Sequence, residues 1–304
     1  MERRCNRRMF CKTIGFGLGA AMLGAAGAQA APQRRLKIGH TGITWGYKAE
    51  NAEPAIKDVG SLGYHGFESF GSVLEAWEAK GGLGRLLEEA KLPLVSAYCG
   101  TNLMDPAKRK EDVERMVRWG NLIKKCGGTV AVIGPGGVKR KDGAYDFNAY
   151  KANIVASLNE IGKALADIGV IGAVHQHTGS CIETRDEVYG VMEAVDNRYV
   201  KFGPDVGQLA KGGSDPEKIV KDFLALIEHV HLKDWDGGPH WEGYCPLGKG
   251  KVNIPAILDL LEKSKIKAMM MVELDFSKDA SMTPIETART SRAYLEKQGY
   301  TFRS

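Results

Sequence analysis

From Leu36 onward, short apolar runs alternate with longer amphipathic stretches. The runs are LKIGHTGITW from Leu36, GFESF from Gly66, LPLVSAYCG from Leu92, TVAVIGPGG from Thr129, VIGAVHQH from Val170, YVKFGPDVG from Tyr199, IEHVHLKDW from Ile227 and AMMMVELDF from Ala268. Runs this short and this continuously apolar suit strands buried on both faces. The stretches between them have the other period. Val113, Met116, Val117 and Ile123 recur on one face of Lys108 to Lys125, and Ile154, Leu158, Ile161 and Leu165 on one face of Asn148 to Ala166. Eight strand-helix repeats without a low-complexity linker predict an α/β fold, a single (β/α)8 TIM barrel spanning residues 31–304. An open doubly wound sheet is the competing architecture. No run is followed by GxGxxG, and the GPGG after the fourth run has the wrong spacing for it.

The first thirty residues read differently. Asn6 to Lys12 is basic, Thr13 to Ala28 is uncharged, and Ala28, Gln29 and Ala30 form a small-residue cleavage pattern. This predicts a cleavable signal peptide over residues 1–30, cut after Ala30. The paired Arg7 and Arg8, with Phe10 and Lys12 after them, resemble a twin-arginine export signal and predict a periplasmic or secreted protein. The alternative is a membrane anchor, for which the run is short and rich in Gly and Ala.

Removing the leader changes the charge. The whole chain carries +5, but residues 1–30 hold five cations (Arg3, Arg4, Arg7, Arg8, Lys12) against Glu2, so the mature chain is left near +1. That removes the main support for a nucleic-acid partner, and no membrane association is expected after cleavage. Four of the six cysteines lie beyond the leader and none forms a CxxC pair, which speaks against a zinc knuckle. A Cys181–Cys245 disulfide is open in an oxidising compartment.

Barrel enzymes gather their chemistry at the C-terminal ends of the strands. His40, Glu68, His175, His177, Asp205, His231, Glu273 and Asp275 all stand within or just past runs. Asp205, His231 and Glu273 come from the last three, which are neighbours around the rim. Two carboxylates and an imidazole suit a divalent ion such as Mn²⁺, Mg²⁺, Co²⁺ or Zn²⁺. A fourth ligand is expected from the fifth run, which ends in VHQHTGSCIE, Val174 to Glu183.

Several motifs carry a resemblance over nearly all of the mature chain: LGYHGFES from Leu62, HQHTGSCIET from His175, PDVGQLAKGGSDP from Pro204, HVHLKDW from His229, CPLGKGKVNIPAILDLL from Cys245 and MMVELD from Met270. In this order they resemble the xylose-isomerase-like TIM-barrel sugar isomerases and epimerases, and within them the inosose dehydratase branch. The resemblance implies metal ligands at Asp205, His231 and Glu273. Two positions depart from it. Many relatives place a glutamate ligand where this chain has His175, so the strand-five ligand is either His175 or Glu183. Glu183 is favoured as an oxygen donor that would make the site suited to Mn²⁺ or Mg²⁺. Relatives also commonly carry a substrate-contacting histidine at Gln208, where an amide hydrogen-bonds but cannot act as a base.

Such a site implies abstraction of a proton beside a metal-bound carbonyl through an enediolate. Glu273 is the expected base, His175 or His177 its partner, and Lys233 a group holding the developing oxyanion, unless it merely pairs with Asp234 at the surface. His40, Trp45, Glu68, His177, Gln208 and Trp235 are the expected substrate contacts, the indoles packing on a sugar ring. Reprotonation would give isomerisation or epimerisation; loss of a β-substituent would give dehydration or lyase action on an inosose or 3-keto-glycoside. Export and the absence of a P-loop favour unphosphorylated sugars or keto-polyols. The self-association of the chain, as a homo-oligomer or otherwise, is open. A non-catalytic carbohydrate-binding barrel and a barrel endonuclease are the alternatives from other classes.

Overall fold

The computed structural model describes residues 34–140, 145–264 and 266–304. The predicted signal peptide lies outside them. Each apolar run forms a strand: β1 (Ile38–Thr41), β2 (Phe67–Phe70), β3 (Leu94–Gly100), β4 (Val130–Gly134), β5 (Ile171–Val174), β6 (Val200–Phe202) and β7 (Val230–Leu232), with the eighth run forming the last strand. A hairpin not anticipated from periodicity, β8 (Asp234–Trp235) with β9 (Tyr244–Cys245), comes before that last strand, β10 (Met270–Val272).

The eight long-range strands are parallel and ordered β6-β5-β4-β3-β2-β1-β10-β7. Two isolated parallel bridges, Phe202 to Ile227 and Asp205 to His231, join the outer strands to each other. This is a TIM-barrel-like α/β fold, and the bridging of its edges sets aside the open doubly wound sheet. Strand residues face packed groups on both sides: every residue of Val130–Gly134 is buried, as parallel sheets under helices require.

Around the sheet run α1 (Ala52–Ser61), α2 (Gly71–Glu78), α3 (Gly84–Glu89), α4 (Arg109–Lys125), α5 (Phe147–Asp167), α6 (Arg185–Met192), α7 (Val206–Lys211), α8 (Pro216–Asp222), α9 (Ile254–Lys263) and α10 (Pro284–Lys297). Helix α5 shows why they form. Asp146 caps it by accepting from the Asn148 N–H, and Ile154, Leu158, Ile161 and Leu165, spaced three or four apart, are fully buried. Each such side chain stabilises the fold by about 1.5–3 kcal/mol, so Leu158→Ala would cost about 2–5 kcal/mol.

The parallel register brings chemistry to one rim. The His175 N–H donates to Ile133 O, that of His231 to Pro204 O, and that of Glu273 to Leu232 O, at 2.9–3.0 Å. The residues ending β5, β6, β7 and β10 are thereby held by backbone bonds to their neighbours. Cys181 and Cys245, the candidate disulfide, are both buried free thiols. Cys181 packs in the main core, whereas Cys245 pairs with Asp234 in the hairpin.

Candidate active site

Asp205 is positioned by the helix it begins. As the N-cap of α7 it accepts with Oδ1 from the Gly207 and Gln208 N–H groups, both at 2.9 Å, which satisfies two of the helix's free donors. That fixes the carboxylate and leaves Oδ2 buried with no hydrogen bond. Position 207 has to be glycine: a Cβ there would lie 2.7 Å from Lys233 Cγ and 2.9 Å from Lys233 O.

His231, on β7, stands between two carboxylates. Its Nε2 is 2.9 Å from Glu68 Oε1, and its Nδ1 is 3.2 Å from Glu273 Oε2 and 3.9 Å from Asp205 Oδ2. His175, just past β5, brings its ring to 4.7 Å from that of His231, and its Nδ1 is buried without a partner. One ligand atom each from His175, Asp205 and His231 lie within 4.8 Å of one another. Lys233 reaches the same place, fully buried. Its Nζ is 2.8 Å from Glu273 Oε1, 3.0 Å from Asp275 Oδ2 and 3.2 Å from Asp205 Oδ2.

Opposite charges decide the protonation states here. Burial pushes the Glu273 carboxyl up, but His231 and Lys233 outweigh it and hold the group well below the usual carboxylate range. Burial pulls the Lys233 ammonium down; Asp205, Asp275 and Glu273 overcome that and raise it well above its ordinary value. Glu68 is likewise held low: burial opposes ionisation, and His231 and His229 prevail. His175 goes the other way, its imidazole kept neutral by burial and by the neighbouring His231.

Several expected residues have partners of their own in the fold. Glu183 does not join the cluster. Its Oε2 is 2.7 Å from Arg140 Nε and accepts from the Gly179 N–H at 2.6 Å, so His175 is the strand-five residue at the centre. Glu68 lines the cavity but is also tied to the interior: Oε2 is 2.7 Å from His229 Nε2 and accepts from Ser96 Oγ at 2.6 Å. Gln208 is spent on a network. Its carbonyl accepts from the Thr178 N–H and hydroxyl and from Tyr244, and its amide faces His177 Nε2 at 2.9 Å. The Thr178 N–H can only donate, which fixes the amide orientation; His177 Nε2 must then accept, and its Nδ1 donates to Thr178 O at 2.7 Å. His177 therefore has both ring nitrogens occupied.

His40 packs edge-on against Trp45 and Tyr64, and burial lowers its pKa to about 4. Trp45 is buried and donates to Asp58 Oδ2 at 2.8 Å. Trp235 packs in a satellite cluster with Trp241, Tyr244 and Leu274. Neither indole lines the cavity at the site. Nor does Lys233 pair with Asp234. The strand alternation sends Lys233 inward, while Asp234 accepts from the Trp235, Gly248, Gly250 and Val252 N–H groups.

A cavity of about 250 Å³ opens over His175, His177, Glu68 and Glu273. Asp275, expected at the rim, lines it too, and Ile43, Tyr47, Phe70, Tyr98 and Ser69 are walls that were not foreseen. Tyr98 meets the His175 ring edge-on at 5.7 Å. A polar tyrosine near the end of the third apolar run was the available signal for it. His229, two residues before His231 and so on the same side of β7, was the signal for the interior pair held by Glu68.

Among the described residues the donor set fits a divalent ion. Two imidazoles and a carboxylate converge, His175 Nδ1 is buried without a partner, and Glu273 stands beside them. The family described as Xylose isomerase-like TIM barrel matches residues 56–298. An inosose dehydratase of Clostridium botulinum (strain Alaska E43 / Type E3) is 25% identical over 297 residues, covering 87% of this chain and 97% of its own. Among solved structures, the IOLI protein with a bound zinc atom superposes with a TM-score of 0.71 at 18% identity, over 86% of this chain and 98% of its own. The 3-keto-D-glucoside 4-epimerase of E. coli superposes at 0.67 and 17%, over 86% and 98%. The chain belongs to the xylose isomerase-like TIM barrel family and is an enzyme of it.

Proposed function

We propose that this enzyme is a divalent-metal-dependent isomerase or epimerase of unphosphorylated sugars or keto-polyols. One observation carries the reading: the ligand atoms of His175, Asp205 and His231 converge beside Glu273, with His175 Nδ1 buried and without a partner. These residues would hold the ion. Bound there, a divalent ion supplies positive charge against the negative charge that grows as a proton leaves the carbon next to a carbonyl. With Glu183 held by Arg140 the donor set gains nitrogen, which favours Mn²⁺, Co²⁺ or Zn²⁺ over the Mg²⁺ expected of an oxygen-rich site.

Glu273 is the base. Its charge is maintained by Lys233 and His231, and it lines the cavity, so it meets substrate ionised. Ile43, Phe70 and Tyr98 offer an apolar wall to the C–H face of a polyol, and Asp275 a hydrogen-bond acceptor to its hydroxyls. Among the described residues lining this cavity there are three carboxylates and no Lys or Arg. A phosphate would meet repulsion there, which supports an unphosphorylated substrate. Release to the periplasm or medium after cleavage at Ala30 belongs to the same proposal and rests on Arg7 and Arg8; N-terminal sequencing of the exported protein tests it.

A second reading, dehydration of an inosose or 3-keto-glycoside, is favoured by the inosose dehydratase relative, whose length is matched almost in full. Both begin with the same proton transfer and differ in its sequel. Incubation in deuterated water with a panel of ketoses, inososes and 3-keto-glycosides, followed by proton NMR, tests them together. Exchange at the carbon beside the carbonyl is expected with at least one member; an epimeric or isomeric product supports the first reading and an unsaturated one the second. No exchange with any member by the metal-loaded protein contradicts both.

A further inference from the structure

Lys233 lies at the heart of the site, yet none of the roles just described gives substrate an N–H of its own to bind there. Its ammonium has three donors and three carboxylates around it, Glu273 at 2.8 Å, Asp275 at 3.0 Å and Asp205 at 3.2 Å. The ring of Tyr244 lies against it, 4.7 Å from Nζ, and the backbone of α7 closes on its stem at Gly207. A cation walled in this way cannot withdraw without leaving buried Asp205 and Glu273, and Asp275 at the cavity wall, uncompensated. Two of those anions, Asp205 and Glu273, also face the metal position.

We propose that Lys233 is the site's built-in second cation: its ammonium fills the position between Asp205, Glu273 and Asp275 that a second divalent ion would otherwise take, and so keeps the centre mononuclear. The inference rests on the metal-site reading above. Formal charge supports it. Asp205, Glu273 and Asp275 together carry three negative charges, which one divalent ion and one ammonium neutralise; a second divalent ion in place of the ammonium would leave an excess of positive charge. Without Lys233 the same three carboxylates with one ion keep a net negative charge and face the vacated space. The lysine is thus a positioning residue, confining the metal to the side of His175 and fixing Glu273 Oε1.

The test is the Mn²⁺ stoichiometry of the full chain, stripped with chelator and reloaded, by equilibrium dialysis with elemental analysis. Wild type should bind about one ion per chain and Lys233→Ala, with a native circular dichroism spectrum, about two, the second taking the place between carboxylates that the ammonium no longer pairs. One ion or fewer in the folded variant overturns the proposal, as do two in the wild type. If Lys233→Ala does not fold, the wild type decides: electron paramagnetic resonance through a Mn²⁺ titration should show isolated ions throughout, and an exchange-coupled pair overturns the proposal. A wild type that binds none refutes the metal reading itself, an outcome separate from these.

Discussion

Glu68 Oε1 lies 2.9 Å from His231 Nε2, so the ring turns its other nitrogen, Nδ1, toward Glu273 and Asp205. The carboxylate reaches across from β2 and is itself held by Ser96 and His229. A buried partner of this kind sets the tautomer and aim of a metal-ligating histidine. Glu68→Gln should weaken divalent-ion affinity about 10–100-fold while leaving the fold intact, measured by competition with a fluorescent chelator. Unchanged affinity would show that His231 needs no such support.

Asp234 anchors the segment after the β8–β9 hairpin by accepting four backbone N–H groups, those of Trp235, Gly248, Gly250 and Val252. Asp234→Ala leaves these donors without their acceptor, and a cost of about 2–4 kcal/mol is expected. The segment around Gly248 to Val252 should also become the first site of limited proteolysis. Equal stability and an unchanged cleavage pattern would refute the anchoring role.

His40 gives the fold a pH dependence of known sign. Burial lowers its folded pKa to about 4, whereas unfolded it titrates near about 6.5. Between those values the unfolded chain binds a proton that the folded chain refuses. The contribution is therefore fully present above about pH 6.5 and is lost as pH falls toward 4, by about 3 kcal/mol at the limit. Urea unfolding in the presence of chelator, compared between wild type and His40→Phe at pH 7.5 and 4.5, checks this. The stability gap between the two proteins should shift in favour of His40→Phe at the lower pH, and a gap that does not change contradicts the burial argument.

The eight strands were legible because each is a short apolar run between amphipathic stretches, and burial on both faces leaves that pattern in the sequence. The convergence of His175, Asp205, His231 and Glu273 was legible for the same reason, since parallel strands deliver their C-terminal ends to one rim. The pairing of Glu183 with Arg140 was not legible because Arg140 comes from the segment after β4, and periodicity is silent on contacts between loops. Lys233 was expected in the site and lies there because adjacent strand residues point to opposite faces, which also keeps it from the surface pair with Asp234 that was its alternative. The β8–β9 hairpin was invisible because its two-residue strands are set by the hydrogen bonds of Asp234 rather than by any run.

The central claim is that the strand-five ligand is His175, with Glu183 committed to Arg140 at 2.7 Å. Bound metal in purified His175→Asn and Glu183→Gln, set beside wild type by elemental analysis, tests it most directly. The account predicts about one ion per chain in wild type and Glu183→Gln, and a loss of most of the ion in His175→Asn, since removing one ligand of a small set weakens binding severely. Loss of metal from Glu183→Gln with full retention in His175→Asn would contradict it.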